Sequence, residues 1–213
     1  MIVPLPRTLV IDTATAACSV ALIEDGAVLA AAHEVVNRGH AERLVPMIAA
    51  LPDGGRAGHI LVDVGPGSFT GIRVGLAAAR GLALGWDATI GGYSSLALIA
   101  INAFAGQSDT DPFAVLIEGG HGEVFMQRFA GQPPFHALDE LASLAPADAL
   151  ARLGQATALG SGVHRLTDLP DRQNGGDPLP DARHAVALPE AYRSLPPSPL
   201  YGRAPDAKLP APR

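Results

Sequence analysis

ILVDVGPGSFTGIRVGLAAARGLALGW occupies residues 60–86, and its reading decides the fold. Ile60–Val64 is a short apolar run of strand type, and Thr70–Trp86 is a long stretch of small and aliphatic residues expected to be helical. Between them lies GPGSFTG, residues 65–71, with glycines at 65, 67 and 71. Glycine permits positive φ, expected here at Gly67, and close backbone approach, while Ser68 or Thr70 can cap the helix. Free amides at a helix N-terminus attract anions. The segment therefore has two readings, a nucleotide cradle or a structural strand-to-helix turn.

Spacing weakens the first. A Walker loop ends in Gly-Lys-Ser/Thr, and the only lysine of the chain is Lys208. The dinucleotide pattern GxGxxG fails, because the last glycine comes one residue late. A nucleophile elbow has glycine two residues before its serine, where this chain has Pro66.

Upstream, Leu9–Ile11 is an apolar run ending at Asp12, and DTATA forms a turn. A second strand is expected over Cys18–Ile23, a hairpin turn at Glu24–Gly26 and a third strand over Val28–Val36. A helix follows from about Gly39 to Leu51, with Leu44, Met47, Ile48 and Leu51 on one face and Pro46 inside the pattern as a kink or second start. Thr89–Ile90 reads as a short strand and Ser94–Phe104 as a third helix. Three antiparallel strands followed by alternating helices and strands is the order of a ribonuclease-H-like α/β lobe. The polar cluster Ala105–Pro112 divides a first lobe, 1–107, from a second, 108–213. In the second, FAVLIEGGHGEVFMQRFAG (113–131) repeats the opening hairpin, with Glu118 and Glu123 placed to meet across its turn. The remainder is rich in alanine and proline, and from Pro189 onward it is expected to be extended.

The glycine-loop helix carries only Arg73 and Arg80 as charges, so it is expected to be buried on more than one side, under the second lobe or under a partner. The chain as a whole has 213 residues, 48 % hydrophobic and 17 % charged, with mean hydropathy +0.22, which is apolar enough to imply surface shared with a partner. A net charge of −6 argues against a free-standing nucleic-acid binder. The single cysteine, Cys18, excludes an internal disulfide and fits a reducing, cytoplasmic setting. No signal peptide or membrane span is evident. No two of the seven histidines are three or four residues apart, so no metal site is expected.

The stretches IDTATAACSVALIEDG, HAERLVPMI, GPGSFTGIRVGLAAARGLALG, GEVFMQRF and PLYGRAPDAKLP, in this order, closely resemble the bacterial TsaB family, a subunit of the machinery that makes threonylcarbamoyladenosine in tRNA. The resemblance implies an α/β fold of two ribonuclease-H-like lobes, of the actin/sugar-kinase/Hsp70 superfamily, with the second lobe reduced. It implies a non-catalytic role in modifying the adenosine next to the anticodon, through a heterodimer with the catalytic paralogue TsaD and support for docking of the TsaE ATPase. The partner interface is then expected at His40, Leu44, Met47, Ile48, Ile72, Leu76 and Ala79, with a homodimer formed when the chain is alone. Asp12, Thr13, Gly65, Gly67, Ser68, Thr70 and Gly71 become a structural loop or a weak nucleotide contact. No cofactor is expected in this subunit; ATP and a metal belong to the partner subunits, and tRNA is reached through the complex. Around Pro133–Pro189 the resemblance is slight. The competing class is a small sugar-kinase-like phosphotransferase, for which Asp12 beside Thr13 and Thr15, with the glycine loop, would speak.

Overall fold

The computed structural model describes residues 7–105, 111–130 and 135–200. Its first sheet is built from β1 (Thr8–Asp12), β2 (Ala17–Glu24), β3 (Ala27–Val35), β4 (His59–Asp63) and β5 (Thr89–Tyr93), in the order β3-β2-β1-β4-β5. β1 and β2 pair antiparallel, as do β2 and β3, whereas β1, β4 and β5 run parallel. The hairpin at 24–27 uses Asp25 (φ 51°) and Gly26 (φ 76°), the left-handed pair that a tight antiparallel turn requires. Parallel β4 is buried on both faces from Ile60 to Asp63, as is β5 from Gly91 to Tyr93, which is why HILVD and TIGGY carry little alternation.

Helix α1 (His40–Ala49) runs through Pro46, and Gly39, at φ 92°, turns the chain into it. α2 (Phe69–Trp86) and α3 (Ser95–Ala105) follow β4 and β5. α1 and α2 lie on one face of the sheet, where Leu44, Met47, Ile48, Ile72, Leu76 and Ala79 pack against Leu9, Ile11, Val20, Leu22, Ile60 and Val62. α3 lies on the other face, in a core that also takes in the second sheet through Phe113, Val115, Ile117 and Phe129.

The second sheet contains β6 (Phe113–Glu118), β7 (Val124–Ala130), β8 (His136–Ala137), β9 (Ala142–Leu144) and β10 (Thr157–Leu159), ordered β10-β6-β7-β8, with β9 also on β7. A parallel strand beside the first strand of an antiparallel hairpin is the arrangement of β4-β1-β2 repeated in β10-β6-β7. The α/β class and the paired ribonuclease-H-like lobes are thus present, the second with shorter strands. α4 (Pro146–Leu153) closes its outer face through Ala149 and Leu153.

Beyond β10 the chain is neither structureless nor detached. A 3₁₀ turn at Ala182–Ala187 crosses the inner face of the first sheet, burying Ala182, Ala185 and Leu188 beside Val10, Ala21 and Leu61. Leu195 then bridges to Gly92 through two backbone hydrogen bonds of 2.7 and 3.0 Å. Leu200 N–H donates to Val64 O at 2.7 Å, and Arg80 reaches Pro197 O at 2.9 Å. A sequence poor in periodicity hid this, because these residues are ordered by what they lie on. The boundary expected in Ala105–Pro112 falls mostly on 106–110, and Lys208 and most of the last resembling stretch on 201–213, outside the described residues.

Candidate functional site

Adjacent parallel strands that each end in aspartate place two carboxyl groups side by side. β1 ends at Asp12 and β4 at Asp63, with Ile11 paired to Val62 immediately before them. Both carboxyls are fully enclosed and hydrogen-bond each other. Tyr93 Oη donates to Asp12 Oδ2 at 2.9 Å, and Ala14 N–H approaches Asp12 Oδ1 at 3.4 Å. Gly65 N–H donates to Asp63 Oδ1 at 2.6 Å, while Ser95 Oγ lies 2.7 and 2.9 Å from the two Asp63 oxygens and 3.0 Å from Pro66 O. Burial pushes the Asp12 carboxyl above the usual carboxylate range. Burial, together with the charge of Asp12, pushes Asp63 well above it. One proton shared between two enclosed carboxyls relieves the cost of two buried charges.

The strand register extends this pair into a polar row. Asp12 is paired with Ser19, Ser19 with His33, and Asp63 with Tyr93. Above the row sits the 181–187 turn, whose Ala182 N–H donates to Ser19 Oγ at 3.0 Å. Asp181 is buried there, its charge held by Arg183 at 2.6 Å. The place where an α/β lobe presents its strand tips to a ligand is in this chain covered by its own later residues.

The glycine loop is closed in the same way. Ser68 N–H donates to Ala14 O at 2.6 Å, Ser68 Oγ accepts from Gly71 N–H at 3.2 Å, and Thr13 Oγ1 donates to Gly71 O at 2.7 Å. A Cβ at Gly67 would collide with Ala14 O, and one at Gly71 with Thr13 O. The expected positive φ at Gly67 needs correction: Gly65 takes it, at 103°, and Gly67 and Gly71 are required by backbone contact. Ser68, not Thr70, is the cap, and Thr70 is exposed. Asp12, Thr13, Gly65, Gly67, Ser68 and Gly71 are therefore brought together, but their polar groups face one another. A groove of about 480 Å³ lies between the N-termini of α1 and α2, lined by Arg38, His40 and Glu42 on one side and by Ser68, Thr70 and Gly71 of the loop on the other.

The seven side chains expected at a partner interface are placed differently. His40, Leu44, Met47, Ile48, Ile72, Leu76 and Ala79 are all buried in this chain's own core, with His40 Nε2 held 2.9 Å from Thr15 O. Their helical stripe faces the sheet, so they offer no open surface. Nor does the second sheet cover the outside of α2, since it lies across the first sheet from that helix, although the 195–200 segment returns to the α2 side and touches the helix at Arg80. The outward face instead carries Val45 (58 % exposed), Phe69 (63 %) and Leu84 (89 %), with nothing within 4 Å of a Cβ at Gly81 or Gly85. Arg73 lies over the Phe69 ring, 3.2 Å from its centroid. Glu118 and Glu123 also part company: Glu118 pairs with Arg165, and Glu123 accepts from Ser143 Oγ at 2.6 Å. Cys18 is buried, and burial pushes its thiol up to about 11.

Sequence reasoning missed Asp63, Tyr93 and Ser95. The signal was available in TLVID and HILVD, two apolar strands each ending in aspartate, which become neighbours once the strand order is known. Among the described residues, no three His, Cys, Asp or Glu side chains converge as metal ligands, and no helix is long and apolar enough to cross a membrane.

Comparison with known proteins agrees with this architecture. The family described as TsaD, tRNA N6-adenosine threonylcarbamoyltransferase, matches residues 32–166. The Escherichia coli tRNA threonylcarbamoyladenosine biosynthesis protein TsaB is 35 % identical over 203 residues, covering 89 % of this chain and 84 % of that protein. An uncharacterized Mycobacterium tuberculosis protein is 33 % identical over 215 residues, covering 97 % and 96 %. The crystal structure of YeaZ from Pseudomonas aeruginosa superposes with TM-score 0.74 at 28 % identity, covering 92 % of this chain and all of that one. With this coverage and this fold, the chain belongs to the TsaB family.

Proposed function

We propose that this chain is a non-catalytic subunit in the biosynthesis of threonylcarbamoyladenosine in tRNA. The observation that carries the reading is the 35 % identity to a TsaB protein along nearly the whole chain. Its task is to heterodimerise with a TsaD-type catalytic subunit and to support docking of a TsaE-type ATPase, in the cytoplasm. ATP and metal are held by those partners, and tRNA is met through the complex. The sealed strand tips support a role without catalysis, since Asp12 and Thr13 are buried and the helix-capping amides of residues 68 and 71 already have partners. The same closure weighs against a sugar-kinase-like phosphotransferase, which needs an open carboxylate and magnesium nucleotide at that edge.

Docking is assigned to the first-lobe helices, through their outward faces. Val45 on α1 and Phe69 and Leu84 on α2 are the large apolar side chains exposed there. In the absence of the paralogue the same face is expected to pair two copies of the chain, an isologous contact being the simplest way to cover it. Reconstitution tests the reading. The purified chain alone is expected to leave tRNA unmodified and to hydrolyse no nucleotide, while addition of its TsaD and TsaE partners restores modification that omission of this chain removes. Modification of tRNA by the chain alone, or full activity of the partners without it, would overturn the proposal.

A further inference from the structure

β3 forms one edge of the first sheet and pairs, among the described residues, with β2 alone. The opposite edge, β5, is covered by this chain itself through the antiparallel bridge from Leu195 to Gly92. In the second sheet β10 is bridged by Asn174. β3 has no such cover, and an unpaired edge offers its row of backbone donors and acceptors to any extended chain that fits it.

The register shows which groups face outward. Val36 N–H donates to Ala16 O at 3.0 Å, and Ser19 Oγ donates to Ala32 O at 3.4 Å. Ala32, Glu34 and Val36 therefore turn their backbone groups towards β2, and alternation in the antiparallel ladder aims the N–H and C=O of Ala31, His33 and Val35 away from it. These three residues are exposed. The usual protections of an edge are missing there. Ala27–Val35 contains no proline or lysine, and the carboxylate of Glu34 is tied to Arg43 of α1. A bulge interrupts the ladder where Leu22 pairs with Ala30 and Ile23 with Val28, but it leaves Leu29 as the extra residue, at the hairpin end only. The regular edge is 31–35.

This edge is complementary to a second copy of itself. A two-fold axis at His33 sets Ala31 opposite Val35 of the other copy and His33 opposite its counterpart, with about six backbone hydrogen bonds. An axis at Ala31 would draw the bulge at Leu29 into the pairing, so the bulge fixes the register. Charge agrees with it. Asp25 stands in the hairpin turn at one end of β3 and Arg38 just beyond the other end, and neither is ion-paired among the described residues. Antiparallel pairing brings each Arg38 alongside the other copy's turn, which carries Asp25. We propose that two copies of this chain associate through β3, antiparallel about His33, joining their five-stranded sheets into one. The contact lies apart from the outward faces of α1 and α2, so it would close two heterodimers into a two-plus-two assembly. It does not rest on the proposed function. A strand edge buries less than the about 1,600 Å² of a standard interface, and the association is accordingly expected in the micromolar range or weaker.

Sedimentation equilibrium of the full chain carrying Val45→Asp, which disables pairing through the helix face, tests the proposal. A reversible dimer is expected. Adding Ala31→Pro removes an outward N–H but no bond to β2, and it should weaken the dimer about tenfold or more with circular dichroism unchanged. His33→Glu, which sets two carboxylates opposite each other, serves as the second variant should Ala31→Pro unfold. Leu138→Lys, at an exposed apolar residue of the second lobe, should leave the dimer unchanged. A Val45→Asp protein that stays monomeric into the millimolar range, or a dimer that keeps its strength in every folded variant of the edge, overturns the assignment. So does a dimer weakened equally by Leu138→Lys.

Discussion

The same substitution made twice in one helix should change stability in opposite directions. Gly71 and Gly81 both lie in α2. Alanine in a helix interior is favoured over glycine by about 1 kcal/mol. At Gly81 nothing lies within 4 Å of the added Cβ, so Gly81→Ala should stabilise by about 0.5–1 kcal/mol. At Gly71 the added methyl group would collide with Thr13 O, in a turn already tied down by Ser68 and Thr13. Such overpacking costs about 1–3 kcal/mol, and more where the obstacle is backbone, so the propensity gain is outweighed and Gly71→Ala should lose about 1–3 kcal/mol net. For a chain of this size 1 kcal/mol moves Tm by about 2–4 °C. Thermal denaturation should therefore lower Tm by roughly 2–12 °C for Gly71→Ala and raise it by roughly 1–4 °C for Gly81→Ala. Repeating the scans with magnesium-ATP separates the alternative. A cradle would give the wild type an ATP-dependent rise that Gly71→Ala abolishes, and no such rise is expected. A Gly71→Ala protein as stable as the wild type would refute the close contact on which this account of the loop rests.

Three further outcomes follow from the same geometry. Because the folded-state values of Asp12 and Asp63 are raised, the folded chain holds a proton that the unfolded chain releases. The stability they contribute is thus fully present at low pH and declines as pH rises from the ordinary carboxylate range, near 4, towards the raised values. Asp63→Asn keeps a donor for Asp12 and should flatten that decline, as read by urea denaturation at several pH values; an unchanged slope would count against the shared proton. Ser68→Ala removes the cap of α2 and should cost about 0.5–2 kcal/mol by urea denaturation, with a cost near zero contradicting the capping role. Leu44→Ala, deep in the core, should lose about 2–5 kcal/mol, whereas Val45→Asp one residue later should leave the circular dichroism unchanged and weaken association with the TsaD-type subunit in co-purification. Normal co-purification of folded Val45→Asp would move the interface elsewhere.

How much of this was legible in the sequence depends on the range of the forces involved. TLVID, the Asp-Gly turn, the i, i+3, i+4, i+7 pattern of α1 and the GPGSFTG entry to α2 are local, each set by periodicity or backbone preference within a few residues. They were sufficient for the element order, the α/β class and the family. Periodicity also marked which residues of α1 and α2 are apolar, but it could not say against what they pack. Leu44 and Ile72 looked like partner contacts because an apolar stripe is the same whether it meets a sheet or another protein. Only the tertiary structure decided that the sheet takes this stripe and leaves Val45, Phe69 and Leu84 outside. The aspartate pair has the same origin: Asp12 and Asp63 stand 51 positions apart in the chain and become neighbours only through the parallel pairing of β1 with β4. The covering turn at 181–187 and the bridge from Leu195 to Gly92 lack any strong pattern of their own. Their conformation is imposed by the surface beneath them, through one hydrogen bond to Ser19 and two to Gly92, and long-range contacts of that kind leave no periodic trace in the residues that make them.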